Sequence, residues 1–331
     1  MPAVLNTLAA AETATAPRRM PWPRIATGQE GVVLAALVLI FAGVGLYNPG
    51  FLEANNLHAI VAGNAYVAVA AIGMSMLIIC GHIDVSVGAL IGVLASMAGT
   101  LAVQGYPVAV AWGVPVLAGC AVHAMVGVLV AYARIPSIVV TLGMLSILKG
   151  GLISVTGGAW ISNLPADFMI AQWRWFGIPS AVYVMGVLTL LVAGWMKYFA
   201  FGRSIYAIGG NAEAAQNSGV PMQRSVVVVF AIHGAFAGIA SLLFATQMQV
   251  IQSTVPPNLE LTVITACVIG GVSILGGRGT VIGSTLAALL FATIGSALVF
   301  VGVSAYWLRA VMGLLILATV LADVARRRRV R

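Results

Sequence analysis

Charged side chains are scarce in this chain, in which 7% of the 331 residues are charged and 61% are hydrophobic. A soluble globular domain carries roughly 25% charged residues to solvate its surface. So low a fraction excludes an ordinary soluble fold, and the mean hydropathy of +1.07 agrees. The apolar runs are long and do not alternate, which excludes a β-barrel. The sequence therefore predicts an all-α integral membrane protein.

Cysteine and histidine are also few, and their spacing excludes the common disulfide and metal frameworks. The three cysteines lie singly within apolar stretches, and no CxxC pair occurs. None of the histidines has a partner at helical spacing. The histidines are His58, His82, His123 and His233. We therefore predict no metal site, and the sequence indicates no cofactor.

Long apolar runs separated by polar breaks predict about ten membrane spans of about 20 residues each. They lie near 31–47, 57–80, 84–103, 108–131, 136–156, 179–197, 225–246, 259–276, 280–301 and 306–323. The membrane domain then covers 31–323, between an N-terminal tail at 1–30 and a basic tail at 324–331. The break between the second and third spans is so short that it is either a tight turn or an interruption inside the membrane.

The distribution of lysine and arginine predicts the orientation of the spans. Placing the N-terminus in the cytoplasm puts 13 of the 16 basic residues on the cytoplasmic side, including the arginines of both tails. Cytoplasmic loops carry such an excess, so we predict that both termini are cytoplasmic. The basic clusters flank apolar spans, which indicates membrane anchoring and argues against nucleic-acid binding. The loop at 157–178 is then external, and its aromatic residues suit the membrane–water interface.

The segment at 198–224 is the longest polar stretch between spans, and the charge count makes it cytoplasmic. Asn211 can cap a short helix over 212–217, because its side chain can accept from free backbone N–H groups. Gly219 suits the left-handed conformation that ends such a helix, and Pro221 prevents its continuation. The segment is either a docking element for a soluble partner or an ordinary amphipathic connector.

Asp84 is the most unusual polar residue, because a carboxylate near the membrane core is costly and usually functional. It could line a translocation path, bind a proton or sodium ion, or cap the third span together with Ser86. The cap is favoured, since Asp-x-Ser at a helix start supplies acceptors for free N–H groups. A similar start at Gly279 before the ninth span is a weak sign of an internal repeat, and chance could also produce it.

Several stretches resemble the permeases of ATP-binding cassette (ABC) importers, in the branch for ribose and related monosaccharides. Glu213-Ala214-Ala215, six residues before Gly219, is similar to the Glu-Ala-Ala coupling loop of these permeases. Ile83-Asp-Val-Ser-Val-Gly, Arg134-Ile-Pro-Ser-Ile-Val-Val-Thr-Leu-Gly and Gly270-Gly-Val-Ser-Ile-Leu-Gly-Gly-Arg-Gly-Thr also resemble this branch. Thr156-Gly-Gly-Ala-Trp and Ser304-Ala-Tyr-Trp lean toward permeases for rhamnose or autoinducer-2.

The resemblance implies a subunit of the bacterial inner membrane that pairs with a second copy or a related permease. It implies a cytoplasmic ATP-binding subunit, a periplasmic sugar-binding protein and surrounding lipid as partners. It also implies that residues of the 198–224 segment contact the ATPase. These residues are Gly202, Arg203, Asn211, Glu213, Ala214, Ala215 and Gly219.

The energy source and the alternatives follow from what the sequence lacks. No G-x-x-x-x-G-K-[ST] phosphate loop occurs, so energy comes from a partner or from an ion gradient. An ion-coupled transporter would want paired carboxylates in the membrane, and Asp84 is the single candidate. A membrane enzyme would want a nucleophile with a base or a metal-ligand set, and none is visible. We therefore expect a transport subunit and not an enzyme.

Overall fold

The computed structural model describes residues 28–247, 250–252, 256, 258–304, 306–308, 310–315, 317 and 321. Within these residues the chain is almost entirely helical, which confirms the predicted all-α membrane fold. Most of the predicted N-terminal tail and the whole basic tail at 324–331 lie outside the described residues.

The first half of the chain contains six α-helices in sequence order. These are α1 (Gln29–Tyr47), α2 (Ala54–Gly63), α3 (Ala65–Ile79), α4 (Val87–Val103), α5 (Val108–Ala131) and α6 (Ser137–Thr156). The second half contains α7 (Ser180–Tyr198), α8 (Ala200–Gly210), α9 (Ala212–Asn217), α10 (Met222–Gln247), α11 (Leu259–Ile269) and α12 (Val281–Phe300). Strand β1 (Arg174–Trp175) pairs antiparallel with β2 (Ile178–Pro179).

Seven helical segments of the described chain are long and apolar enough to cross a membrane. They are α1, the combined α2–α3 unit, α5, α6, α7, α10 and α12. The shorter α4 and α11 have 17 and 11 residues and coincide with the predicted third and eighth spans. The predicted tenth span at 306–323 lies partly outside the described residues.

Helix α3 forms the centre of the bundle, and nearly all of its residues are buried. Helices α5 and α10 pack against each other through glycines that lie face to face. A Cβ atom at Gly119 or at Gly234 would overlap the backbone of the other residue. Gly127 lies against Val227, and Gly238 lies against Val116, so the two helices run antiparallel. Small residues at helix contacts allow this close approach in membranes.

The two ends of α7 mark two opposite surfaces of the molecule. The loop 157–179 precedes this helix, α8 follows it, and its 19 residues span about 28 Å. The loop contains the β1–β2 hairpin, and its tip residue Phe176 is fully exposed. Trp160 and Trp175 are exposed beside it. Exposed aromatic residues and the α8–α9 segment therefore lie at opposite ends of the helix bundle.

Candidate functional site

The segment after α7 forms two helices where the sequence predicted one. Helix α8, which the sequence analysis missed, buries Gly202, Ile205 and Ile208 and exposes Arg203. A Cβ atom at Gly202 would crowd the backbone of Met196, so glycine allows α8 to fold tightly against the end of α7. The Arg203 guanidinium donates to the Tyr198 carbonyl oxygen over 2.7 Å, within the same segment.

Helix α9 has the predicted bounds and the predicted cap. The Asn211 side chain accepts from the Ala214 N–H over 2.9 Å, and Gly219 adopts a φ of +83°. Glu213 in the first turn is exposed, while Ala215 is buried against the bundle. The helix is therefore held on one side by a small apolar contact and presents its remaining polar surface outward.

Helix α8 is also fastened to the turn between α11 and α12. The Tyr206 hydroxyl donates to the Gly279 carbonyl oxygen over 3.0 Å. Partial burial, with a smaller contribution from the Glu30 carboxylate, raises the pKa of Tyr206 above its usual value. The phenol therefore keeps its proton at neutral pH and remains a donor. This bond fixes the base from which α9 projects.

Between α3 and α4 the chain contains no helix, and we call residues 81–86 the extended segment. Gly81 turns the chain with a φ of +94°, after which the backbone N–H groups find side-chain partners on α6. The Ile83 N–H donates to Ser137 Oγ over 3.3 Å, and the Val85 N–H donates to Thr141 Oγ1 over 3.2 Å. Irregular backbone at membrane depth requires such partners within the protein.

The depth of the extended segment follows from the helices that Asp84 contacts. His123 lies eight residues before the end of α5, and His233 lies eleven residues after the start of α10. At a rise of 1.5 Å per residue, the two histidines lie about 12 and 17 Å from these helix ends. The break therefore reaches into the membrane domain, as the second of the two sequence interpretations proposed.

Asp84 is fully buried and accepts four hydrogen bonds through its two oxygens. Its Oδ1 accepts from the Ser86 N–H over 2.7 Å and from the Ser86 hydroxyl over 2.6 Å. Its Oδ2 lies 2.7 Å from His123 Nε2 and 2.9 Å from His233 Nε2. One oxygen thus satisfies the start of α4, as a cap would, and the other connects the extended segment to α5 and α10.

The His–Asp–His cluster was not predicted, because its members are separated by 39 and 149 residues along the chain. Three such side chains are also a possible metal-ligand set. Metal-binding histidines usually donate their second ring nitrogen to another protein group. Here neither Nδ1 atom has a hydrogen-bond partner among the described residues, and the Nε2–Oδ2 distances are those of hydrogen bonds. The geometry fits two imidazole donors on one carboxylate.

A cavity of about 690 Å³ lies among α2, α3, α10, α11 and α12. Its polar lining consists of Asn56, Asn64, Gln252, Thr262 and Ser296. Its aromatic lining consists of Tyr66, Phe244 and Phe291. The Ser296 hydroxyl donates to Asn56 Oδ1 over 2.8 Å, which orients one amide at the wall. Asp84 and Ser86 are fully buried away from this cavity.

Comparisons with known proteins match nearly the whole membrane region. The family described as "Branched-chain amino acid transport system / permease component" matches residues 56–320. The Autoinducer 2 import system permease protein LsrC of Salmonella typhi is 35% identical over 300 residues, which are 90% of this chain and 86% of that protein. Its counterpart in Escherichia coli O9:H4 (strain HS) is 34% identical over 90% of this chain and 88% of its own length.

No solved structure matches this chain. The family match covers more than half of the chain, and the relatives are covered over most of their length. The chain has the helical spans that such a permease needs. It therefore belongs to this permease family and is a multi-pass transport subunit of an ABC importer of the bacterial inner membrane.

Proposed function

We propose that this subunit carries a small sugar or sugar-like molecule of the ribose, rhamnose or autoinducer-2 class. The relatives that it resembles are autoinducer-2 import permeases. The cavity supports the proposal, because its amide and hydroxyl groups stand among aromatic walls. Binding sites for small molecules combine apolar walls with a few polar groups that fix orientation. A monosaccharide, with hydroxyl groups around a compact ring, fits such a lining.

The observation that carries the coupling part of the proposal is the exposed helix α9. We propose that α9 faces the cytoplasm and receives the ATP-binding subunit, as the orientation from the charge count predicts. Glu213 stands on its exposed surface, where it can pair with a basic group of the ATPase. A complete importer also needs a periplasmic sugar-binding protein and a second permease chain, which we place as partners on the external side and in the membrane.

The test is transport by the reconstituted complex in proteoliposomes, with a panel of labelled ribose, rhamnose and autoinducer-2. We expect uptake of at least one compound to require ATP and to be insensitive to ionophores that collapse ion gradients. Uptake that needs a gradient and no ATP would instead support a secondary transporter and would contradict the proposal.

Docking is tested with matched pairs of variants in α9. Gly219→Val introduces a β-branched residue where φ is positive, whereas Gly219→Asn places a residue that tolerates this conformation. Glu213→Arg reverses a charge, and Glu213→Gln removes it. We expect Gly219→Val and Glu213→Arg to insert normally but to release the ATPase during purification, with weaker effects in the matched controls. Full retention of the ATPase by both would show that α9 is only a connector.

A further inference from the structure

We propose that the extended segment transmits the movement of α9 to the floor of the cavity, and that Asp84, His123 and His233 are the positioning residues that hold it. This inference rests on the proposed function, since it takes α9 as the ATPase contact and the cavity as the substrate path. It assigns a role to the one buried polar cluster among the described residues that neither docking nor substrate contact explains.

The first contact joins α8 to the start of the extended segment. Gly209 lies two residues before Asn211, the cap of α9. A Cβ atom at Gly209 would overlap the carbonyl oxygen of Ile79, the last residue of α3. The same oxygen accepts from the Gly277 N–H over 2.8 Å. Three backbones thus meet without side chains between them, so that a shift of α9 acts directly on the point where the extended segment begins.

The second contact is the Asp84 cluster, which fixes the middle of the extended segment to two helices. Through His123 it is attached to α5, and through His233 to α10. Helix α10 begins five residues after α9 ends, so α9 has a second connection to the same carboxylate. Movement of the coupling helix therefore reaches Asp84 along α3 and along α10.

The third contact joins α4 to the cavity. Gly88 in the first turn of α4 lies against the backbone of Glu260 and the side chain of Leu259, at the start of α11. Leu259 is one of the residues that line the cavity. Helix α11 has 11 residues and rises about 16 Å, roughly half of a 30 Å hydrocarbon core. Its first turn therefore forms a floor of the cavity near the middle of the membrane.

The bonding of the extended segment suits an element with two arrangements. A helix in the membrane loses several backbone hydrogen bonds when it deforms, whereas this segment is held by side-chain groups of α6 and by Asp84. Side chains can exchange partners one at a time. Transmission between distant sites requires an element with discrete alternatives that both sites influence. The extended segment is in contact with both the α8–α9 end and the cavity floor.

The first test compares two neighbouring glycines of α8 in the reconstituted complex. Gly209→Ala forces apart α8 and Ile79, whereas a Cβ atom at Gly210 would lie at an ordinary 4.0 Å from Gly277 Cα. We expect Gly209→Ala to lower uptake at least tenfold while the ATPase stays bound and hydrolyses ATP without stimulation by the loaded binding protein. Gly210→Ala should keep both rates within about twofold of the unmodified complex.

The second test uses the histidine donors and also decides the matter if Gly209→Ala does not accumulate. His233→Leu removes the donor to Asp84 Oδ2, and His233→Gln restores an N–H group at about the position of Nε2. We expect His233→Leu to reduce the number of molecules imported per ATP hydrolysed at least fivefold, and His233→Gln to recover most of that ratio. A purely structural role would lower the amount of protein and leave the ratio unchanged.

The outcomes separate this inference from the proposed function. Absence of ATP-dependent uptake by the unmodified complex would overturn the proposed function itself. If the unmodified complex transports, an unchanged import-to-hydrolysis ratio in Gly209→Ala, or in His233→Leu when the first variant is not obtained, overturns the transmission role alone. Loss of coupling without loss of ATPase binding supports it.

Discussion

After α3 the chain turns through Gly81, and after α11 it turns through Gly271, with a φ of +94° at both positions. Both turns close with the same pair of backbone bonds. The Gly81 and Gly271 N–H groups donate to carbonyl oxygens three residues earlier, and the next N–H in each case donates five residues earlier. The two helix ends are therefore the same structural motif, one in each half of the chain.

Beyond the turns the two regions differ in how they satisfy their backbones. The extended segment takes acceptors from Ser137 and Thr141 of α6 and from Asp84. The α11–α12 region is a compact turn of its own, in which Ser273 N–H donates to the Arg278 carbonyl oxygen over 3.0 Å. The comparison teaches that one region depends on distant helices and the other on itself. The first can therefore respond to distant helices, and the second serves as a fixed base.

The largest effect should come from removing the acceptors that α6 lends to the extended segment. Ser137→Ala combined with Thr141→Val leaves the Ile83 and Val85 N–H groups unsatisfied, at a cost of about 1–3 kcal/mol each. We expect a clearly lower melting temperature in detergent, followed by tryptophan fluorescence. Ser146→Ala on the exposed face of α6 is the control. An unchanged melting temperature would show that the extended segment does not depend on α6.

A middle-sized effect should distinguish the two glycines at the turns. Alanine at either position is forced into a left-handed conformation, which costs about 1–2 kcal/mol. A Cβ atom at Gly271 would also lie 2.9 Å from Gln29 Cβ, while at Gly81 its nearest neighbour would be Gly209 Cα at 3.9 Å. We expect Gly271→Ala to lower the melting temperature more than Gly81→Ala. The reverse order would mean that the region after Gly81 is the more tightly packed one.

A smaller effect should follow loss of the helix cap in the self-contained region. The Thr280 hydroxyl accepts from the Gly283 N–H over 3.1 Å at the start of α12. Thr280→Ala should therefore cost about 1 kcal/mol, and Thr280→Ser should cost little because serine also caps. Thermal unfolding of both variants in the same detergent measures the difference. Equal losses in the two variants would point to the methyl group instead of the hydroxyl.

The smallest effect is expected at Arg278, although it is a charged residue inside a glycine-rich motif. Its carbonyl oxygen closes the turn, and its side chain is exposed. Arg278→Gln should change stability by less than about 0.5 kcal/mol, as substitutions away from such contacts usually do. A larger drop in the melting temperature, or loss of the ATPase from the purified complex, would assign the guanidinium a contact outside this chain.

The sequence was most informative about α9 and least informative about the cluster at Asp84. The cap at Asn211 and the turn at Gly219 are local, because both depend on residues within one helical turn. Helix α8 was missed because its glycines suggested turns, whereas the structure holds it through buried Ile205 and Ile208. The second oxygen of Asp84 was unpredictable, since its partners come from two other helices.

The sequence by itself determined the solvent, the class of fold and the positions of the helices. Low charge and long apolar runs leave lipid as the solvent, and lipid demands helices that satisfy their own backbone groups. Only the tertiary structure decided that the third span starts with an extended segment and that His123 and His233 meet at Asp84. It also decided the position of the cavity. These features depend on contacts between helices far apart in the chain, and the periodicity of one helix contains no information about its neighbours.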